Sequence, residues 1–134
     1  MTHEHDIRVR YGETDQMGVV YYGNYALYAE VFRTELLRSC GTDYRALEAR
    51  GIELPVAALA VRYRRPARYD DVLTGQTTIE GAPGRTITFR TRVMRGHTEV
   101  AEIRVVLACV DRSSGRVTRL PRDLVDRLAP FVEA

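Results

Sequence analysis

The sequence of 134 residues contains no lysine, only two cysteines and no long apolar run. All 20 basic residues are therefore arginine, against 18 acidic residues, and the formal net charge is only +2. A general nucleic-acid binder has a strongly basic face, so this balance argues against one, although arginine clusters can still bind single phosphate groups. We predict no nucleic-acid partner.

No stretch approaches the roughly 20 apolar residues that cross a membrane, and the N-terminal MTHEHDIRVR lacks the apolar core of a signal peptide. We therefore expect a cytoplasmic protein without membrane insertion. The chain is long enough for one hydrophobic core, which predicts a single domain over residues 1–134. Because such a core needs no cross-link, we expect Cys40 and Cys109 to be free thiols.

Hydrophobic spacing in the first half predicts a strand and two helices. Residues 6–12 are predicted to form the strand, residues 24–40 a long helix that Gly41 ends, and residues 43–50 a short helix. Most positions of the long helix are apolar, so we expect it to be buried on most sides. Its polar residues fall on one stripe, which consists of Glu30, Arg33, Thr34 and Arg38.

The second half predicts strands, which lie at residues 54–65, 72–80, 86–94 and 98–110. The turn RSSG at 112–115 is predicted to lead into a short final strand, and Pro121 to open a C-terminal helix. This order predicts an α+β fold in which one curved antiparallel sheet wraps around one long central helix.

The segment RYGETDQMGVVYYGNY, residues 10–25, places one carboxylate, Asp15, in a loop just before the long helix. Aromatic residues, Gly23 and Asn24 follow it at the start of the helix.

Three stretches of the chain resemble the hotdog-fold acyl-CoA thioesterases, in the branch of 4-hydroxybenzoyl-CoA thioesterase and the Tol–Pal-associated acyl-CoA thioesterase. They are TDQMGVVYYGNY (14–25), RYRRPARYDDVL (62–73) and the strand pattern up to Asp111, so the resemblance covers nearly the whole chain. Tyr22 stands where the hydroxybenzoyl branch has tyrosine and much of the Tol–Pal-associated branch has histidine. The resemblance implies a hotdog fold, an acyl-CoA substrate, no metal or bound cofactor, and a homodimer that assembles to a homotetramer.

The resemblance also implies roles for individual residues. Asp15 would be the catalytic carboxylate, as general base or nucleophile, and the backbone amide of Tyr22 would donate to the thioester oxygen. These are the two parts that the reaction needs, because free amides at a helix start stabilise a developing oxyanion. Gly18 would let the loop turn, and Gly23 would let the substrate approach the backbone.

Other interpretations of the same residues stay open. Loop aspartates commonly cap turns, so Asp15 has a structural explanation as well. Asn24 is a candidate substrate contact, but we favour it as the N-cap of the helix. Tyr22 and Tyr25 can pack in the core or at an interface as readily as they can contact the acyl group.

The arginines of residues 62–68 are candidate contacts for the phosphates of coenzyme A. Guanidinium groups match phosphate oxygens, which makes Arg62, Arg64 and Arg65 candidates together with Arg68, and the sequence does not choose among them. A charged edge strand that resists aggregation explains them equally well. Weaker candidates are Arg85, Arg90 and Arg92.

Other hydrolytic sites lack their residues in this sequence. There is no G-x-S-x-G motif. We expect His3 and His5 in a frayed terminus and His97 in a turn, which argues against a Ser-His or Cys-His pair and against a metal site. Cys40 lies near a helix end, where a thiolate is disfavoured.

Two further functions fit the same fold. A non-catalytic module could bind acyl-CoA as a sensor or assembly component, but the presence of Asp15 argues against it. A dehydratase usually needs a catalytic histidine, and none is placed for that role.

A sheet that wraps one helix leaves one edge and its far face in need of cover. We therefore predict that two chains pair edge to edge and share each site, with residues 54–65 of one chain near the helix start of the other. A monomer whose edge is protected by Arg62, Arg64 and Arg68 is the alternative.

Overall fold

The computed structural model describes residues 1–134 and contains two antiparallel sheets. The larger has the strand order β1-β4-β5-β6-β3, and the smaller pairs β2 with β7. The strands are β1 (His3–Arg8), β2 (Ile52–Glu53), β3 (Val56–Tyr63), β4 (Val72–Glu80), β5 (Thr86–Arg95), β6 (Thr98–Ala108) and β7 (Val110–Asp111).

Three α-helices accompany the sheets, namely α1 (Asn24–Ser39), α2 (Tyr44–Ala49) and α3 (Arg122–Leu128). Short 3₁₀ turns lie at Tyr11–Glu13 and Ala129–Phe131. No helix is both long enough and apolar enough to span a bilayer. The α+β class is confirmed, and the order of elements is as predicted except for the final strand.

The core lies between α1 and the inner face of the large sheet. Phe32 of α1 is fully buried, and it packs so closely on β4 that Gly75 has no room for a Cβ atom. Buried and less buried side chains alternate along residues 86–94 as predicted, and Ile87, Phe89 and Val93 point into this core. The long helix is thus held by close packing on the strands opposite it.

The outer face of the sheet is polar. Arg90 of β5 pairs with Glu102 of β6 at 3.2 Å, and Arg104 of β6 pairs with Glu80 of β4, on the far side of β5, at 2.6 Å. Long charged side chains therefore cover this face within one chain. The far face is thus polar, and the expectation that a partner covers it stays a prediction.

The first strand lies earlier in the chain than predicted. β1 comprises residues 3–8 rather than 6–12, and residues 11–13 form a 3₁₀ turn. His3 and His5 are consequently paired to β4 instead of frayed, and the His3 ring packs edge-on against Phe131 at 5.9 Å. The alternation of HEHDIR is mostly polar, which hid the strand from hydrophobic spacing.

Two other expectations also need correction. Arg33 is not on the exposed stripe of α1; it is 7% exposed and its Nε donates to the Tyr44 hydroxyl at 2.8 Å. The outer stripe instead carries Leu27 and Val31, so α1 is open to solvent on one side. No final strand forms after residue 115, where only Val117 makes an isolated bridge to Val110.

Candidate active site

Asp15 lies in a tight hairpin that is closed by the bridge between Thr14 and Val20. The Met17 N–H donates to Asp15 Oδ1 at 2.9 Å, while Gly18 turns the chain with a φ of +80°. The turn role of Gly18 is thus confirmed, and one oxygen of Asp15 does cap the turn. The Asp15 Oδ2 atom has no hydrogen-bond partner in the protein.

The backbone carbonyl of Glu13 ties this hairpin to the start of α1. It accepts the Tyr21 N–H at 2.9 Å and the Asn24 Nδ2 at 2.8 Å. Asn24 is the first residue of the helix and its side chain caps nothing, so the predicted N-cap was wrong. The side chain of Asn24 is instead a cross-link between the helix and the segment that precedes Asp15.

The side chain of Glu13 anchors the same segment. It accepts the Arg10 N–H at 2.8 Å and the Tyr28 hydroxyl at 3.0 Å. Burial raises the pKa of Glu13, but these bonds and the Arg10 guanidinium outweigh it and hold that pKa below its usual value. Burial, followed by the bond to Glu13, raises the pKa of Tyr28. Glu13 is therefore a fixed anion.

Two backbone amides at the helix start are unbonded. The N–H groups of Tyr22 and Gly23 donate to no acceptor within the protein, whereas the Asn24 N–H donates to Tyr21 O at 2.9 Å. A Cβ at Gly23 would lie 2.9 Å from the Tyr21 ring, so a larger residue here would require that ring to shift. Free amides at the N-terminus of a helix attract negative charge.

A cavity of about 280 Å³ opens beside these amides. It is lined by Val19, Val20, Tyr22, Tyr25, Tyr63, Arg64, Arg65 and Pro66. The Tyr63 hydroxyl donates to Tyr22 O at 3.0 Å, and its ring meets that of buried Tyr25 edge-on. Three segments therefore converge at one place: the hairpin, the helix start and the end of β3.

Four of the predicted substrate-site residues, Tyr22, Tyr25, Arg64 and Arg65, line this cavity. Gly23 and Asp15 are not among its lining residues, but Gly23 directly follows the lining residue Tyr22, and the hairpin of Asp15 contributes Val19 and Val20. Arg62 does not, because it alternates with Tyr63 and lies opposite Glu102 on the outer face of the sheet.

The arginines also differ in their partners. Arg64 is paired with Glu99, which in turn binds Arg92. Arg65 makes only a bond to the carbonyl of its neighbour, and the Arg68 guanidinium makes none to a carboxylate. Arg65 and Arg68 are therefore the free positive charges near the cavity.

The cysteines are both free thiols, as predicted. Burial raises the pKa of each thiol, so neither is poised as a thiolate. No three His, Cys, Asp or Glu side chains lie close enough together to hold a metal ion.

Sequence reasoning missed Glu13 and Tyr63. Glu13 lies within the quoted segment and three residues after Arg10, the spacing at which the two side chains form a 3.1 Å ion pair. Tyr63 alternates with the arginines on β3, but nothing in its spacing indicates the contact with Tyr22. Only the tertiary structure brings that pair together.

The thioesterase-like superfamily matches residues 9–128 of the chain. The chain belongs to this superfamily. Among its relatives, the acyl-CoA thioester hydrolase YbgC of Escherichia coli O6:H1 is 36% identical over 120 residues, which cover 89% of this chain and 90% of that protein.

Solved structures superpose closely on this chain. The Thermus thermophilus protein TT1821 is 37% identical with a TM-score of 0.89, over 96% of this chain and 98% of that one. The DHNA-CoA thioesterase of Staphylococcus aureus is 27% identical with a TM-score of 0.89, over 96% of this chain and 89% of that one. The hotdog fold and the enzyme class, a thioesterase, are therefore confirmed.

The contact of Asn24 with Glu13 leads to a stability prediction. Asn24→Asp replaces the Nδ2 donor by an oxygen that faces the Glu13 carbonyl, so we expect the free energy of unfolding to fall by about 1–3 kcal/mol. A residue that only capped the helix would tolerate this exchange, since Asp and Asn cap equally well. Denaturant unfolding measures the difference.

The matched control is the reverse exchange at a genuine cap. Asp43 Oδ1 accepts the Ala46 N–H at 2.8 Å, and asparagine keeps that acceptor. Asp43→Asn should therefore change stability by less than about 0.5 kcal/mol. Equal stability of Asn24→Asp and the wild type would contradict the assigned contact.

Proposed function

We propose that the protein hydrolyses acyl-CoA thioesters to the free acid and coenzyme A at the start of α1. One observation carries the proposal: the unbonded amides of Tyr22 and Gly23 lie beside a cavity that the hairpin of Asp15 adjoins. The relatives named acyl-CoA thioester hydrolases support the substrate class. Catalysis would take place in the cytoplasm, without a metal or bound cofactor.

In this proposal the helix start and Asp15 divide the work. The free amides hold the thioester oxygen and stabilise the negative charge that develops on it. Asp15 Oδ2 either takes a proton from an attacking water or attacks the carbonyl carbon itself. In the first route, cleavage of the C–S bond gives the free acid directly. In the second route, it leaves an acyl–Asp15 anhydride, which a water molecule then hydrolyses to the free acid and the restored carboxylate. The thiolate of coenzyme A leaves and is protonated.

Asparagine at position 15 is a close structural substitute for the aspartate. It keeps the Oδ1 acceptor that the Met17 N–H needs, so the hairpin keeps its bond. It removes the charge that the chemistry needs.

The acyl group and the phosphates would occupy different parts of the cavity. Tyr22, Tyr25 and Tyr63 offer an apolar wall for the acyl group. Arg65 is free to bind phosphate, whereas Arg64 would first have to leave Glu99. Among the weaker candidates, Arg90 and Arg92 pair with carboxylates and Arg85 does not.

The direct experiment is incubation of the protein with a panel of aromatic, short-chain and long-chain acyl-CoAs, with free thiol release as the signal. We expect hydrolysis of at least one class. Tight binding of acyl-CoA with no thiol release from any class would instead indicate the non-catalytic binding module.

We predict that Asp15→Asn lowers turnover by about two orders of magnitude or more, because it removes the base or nucleophile. The unfolding midpoint should stay near that of the wild type. Near-wild-type hydrolysis by the folded variant would refute the role of Asp15.

Two thiol variants are the controls for this prediction. Cys40→Ala and Cys109→Ala remove thiols whose raised pKa makes them poor nucleophiles, so both should keep their activity. Loss of activity in either one would indicate a cysteine nucleophile.

The two edges of the large sheet differ, which bears on the oligomer. The β1 edge carries charged side chains in HEHDIR, and such charges protect an edge from pairing. The β3 edge reads VAALAVRY, and Val56, Leu59 and Tyr63 are each about half exposed on its inner side. We therefore propose that two chains pair through β3.

Pairing through β3 would also complete the site. Tyr63, Arg64 and Arg65 follow or end this strand, so a second chain would lie directly beside the cavity. The exposed Leu27 and Val31 on α1 offer a separate surface on which two such dimers could assemble into the expected homotetramer.

A dilution series with light scattering and activity measured together tests the shared site. We expect the dimer mass and the specific activity to fall together as the chains separate. A monomeric mass with full specific activity would refute it.

A further inference from the structure

The Tyr63 hydroxyl makes a hydrogen bond within the protein although the residue is not buried. Its residue surface is 53% exposed, so its hydroxyl could be satisfied by water, yet it donates to Tyr22 O at 3.0 Å. Burial, and then the neighbouring Tyr22, raises the pKa of Tyr63, so its hydroxyl stays protonated and remains a donor. The ring itself is positioned independently, by edge-on packing on Tyr25 at 5.4 Å.

The acceptor of this bond belongs to the peptide that carries one of the free amides. Tyr22 O and the Gly23 N–H are two ends of the same planar peptide group. The other bond to Tyr22 O, from the Tyr25 N–H at the start of α1, is long at 3.4 Å. The bond from the Tyr63 hydroxyl is therefore the shortest hydrogen bond that this peptide makes.

A hydrogen bond accepted at one end of a peptide strengthens donation at the other end, because bonds in a chain polarise one another. It also fixes the plane of the peptide and thus the direction of the N–H group. Both effects act on the Gly23 N–H, which donates to nothing within the protein.

We propose that Tyr63 is a positioning residue for thioester hydrolysis, whose hydroxyl orients and polarises the Tyr22–Gly23 peptide so that the Gly23 N–H binds the thioester oxyanion. The inference rests on the proposed function. It adds a residue of the edge strand β3 to a site otherwise built from the hairpin and the helix start.

The first test is Tyr63→Phe, which keeps the ring and removes only the hydroxyl. We expect kcat to fall about three- to tenfold with KM nearly unchanged, since a single neutral hydrogen bond is lost and the charge it supports develops only in the transition state. The unfolding midpoint and the mass by light scattering should match those of the wild type at the assay concentration. An unchanged kcat would overturn the inference.

The second test observes the carbonyl directly. In Asp15→Asn, which should bind acyl-CoA without rapid turnover, the stretching frequency of a ¹³C-labelled thioester carbonyl reports the strength of the amide donors. Adding Tyr63→Phe should move that frequency upward, toward its value in water, because the donor is weakened. A purely structural role for Tyr63 would leave the frequency in place and would contradict the proposal.

The matched control is Tyr69→Phe. Tyr69 is also an exposed tyrosine whose ring packs edge-on against another, Tyr11, at 5.5 Å, but its hydroxyl makes no hydrogen bond within the protein. This variant should keep wild-type kcat and carbonyl frequency. A loss equal to that of Tyr63→Phe would overturn the specific role of Tyr63.

The two proposals fail in different ways. If wild-type protein releases no thiol, or Asp15→Asn keeps its activity, the proposed site is wrong. If Asp15→Asn is inactive while Tyr63→Phe keeps full kcat, only the role of Tyr63 is wrong.

Discussion

The carbonyl oxygen of Glu13 accepts hydrogen bonds from the Tyr21 N–H and from the Asn24 side chain, and these two bonds determine where α1 begins relative to the hairpin of Asp15. The Glu13 carboxylate is itself held by Arg10 and Tyr28. Glu13 thus connects the segment before Asp15, the start of α1 and the buried side of α1.

Edge-strand packing then determines what surrounds the helix start. β3 ends in Tyr63, whose ring packs edge-on against that of Tyr25 and whose hydroxyl donates to Tyr22 O. The next residues, Arg64 and Arg65, form the rim of the same cavity. The strand that we propose as the pairing edge is therefore the strand that contacts the site, which would make assembly and catalysis depend on each other.

Hydrophobic spacing predicted most of the fold, because the apolar positions of that spacing are the ones buried in the core. The alternation of residues 86–94 and the apolar length of α1 are both properties of short windows, and both match the structure. The bounds of β1 were predicted incorrectly because most of its residues are polar, so hydrophobic spacing does not mark the strand. Arg33 was misplaced because helical spacing cannot show that Tyr44 of α2 covers it. Asn24 has the composition of an N-cap, but a tertiary contact with Glu13 overrides that preference.

The candidate site was predictable in its location and not in its contacts. The motif indicated Asp15 and the helix start, since a carboxylate and free amides lie within ten residues of chain. Which arginines are free could not be read from the sequence, because the partner of Arg64 is Glu99, on a strand far along the chain. The same is true of Tyr63 and Tyr22.

The most direct measurement is a crystal structure with an acyl-CoA analogue in which a methylene group replaces the sulfur, so that the carbonyl stays and cannot be hydrolysed. The account predicts the carbonyl oxygen about 2.7–3.1 Å from the backbone nitrogen of Tyr22 or Gly23, with Asp15 beside the carbonyl carbon. An analogue bound elsewhere, with both amides left facing solvent, would contradict it.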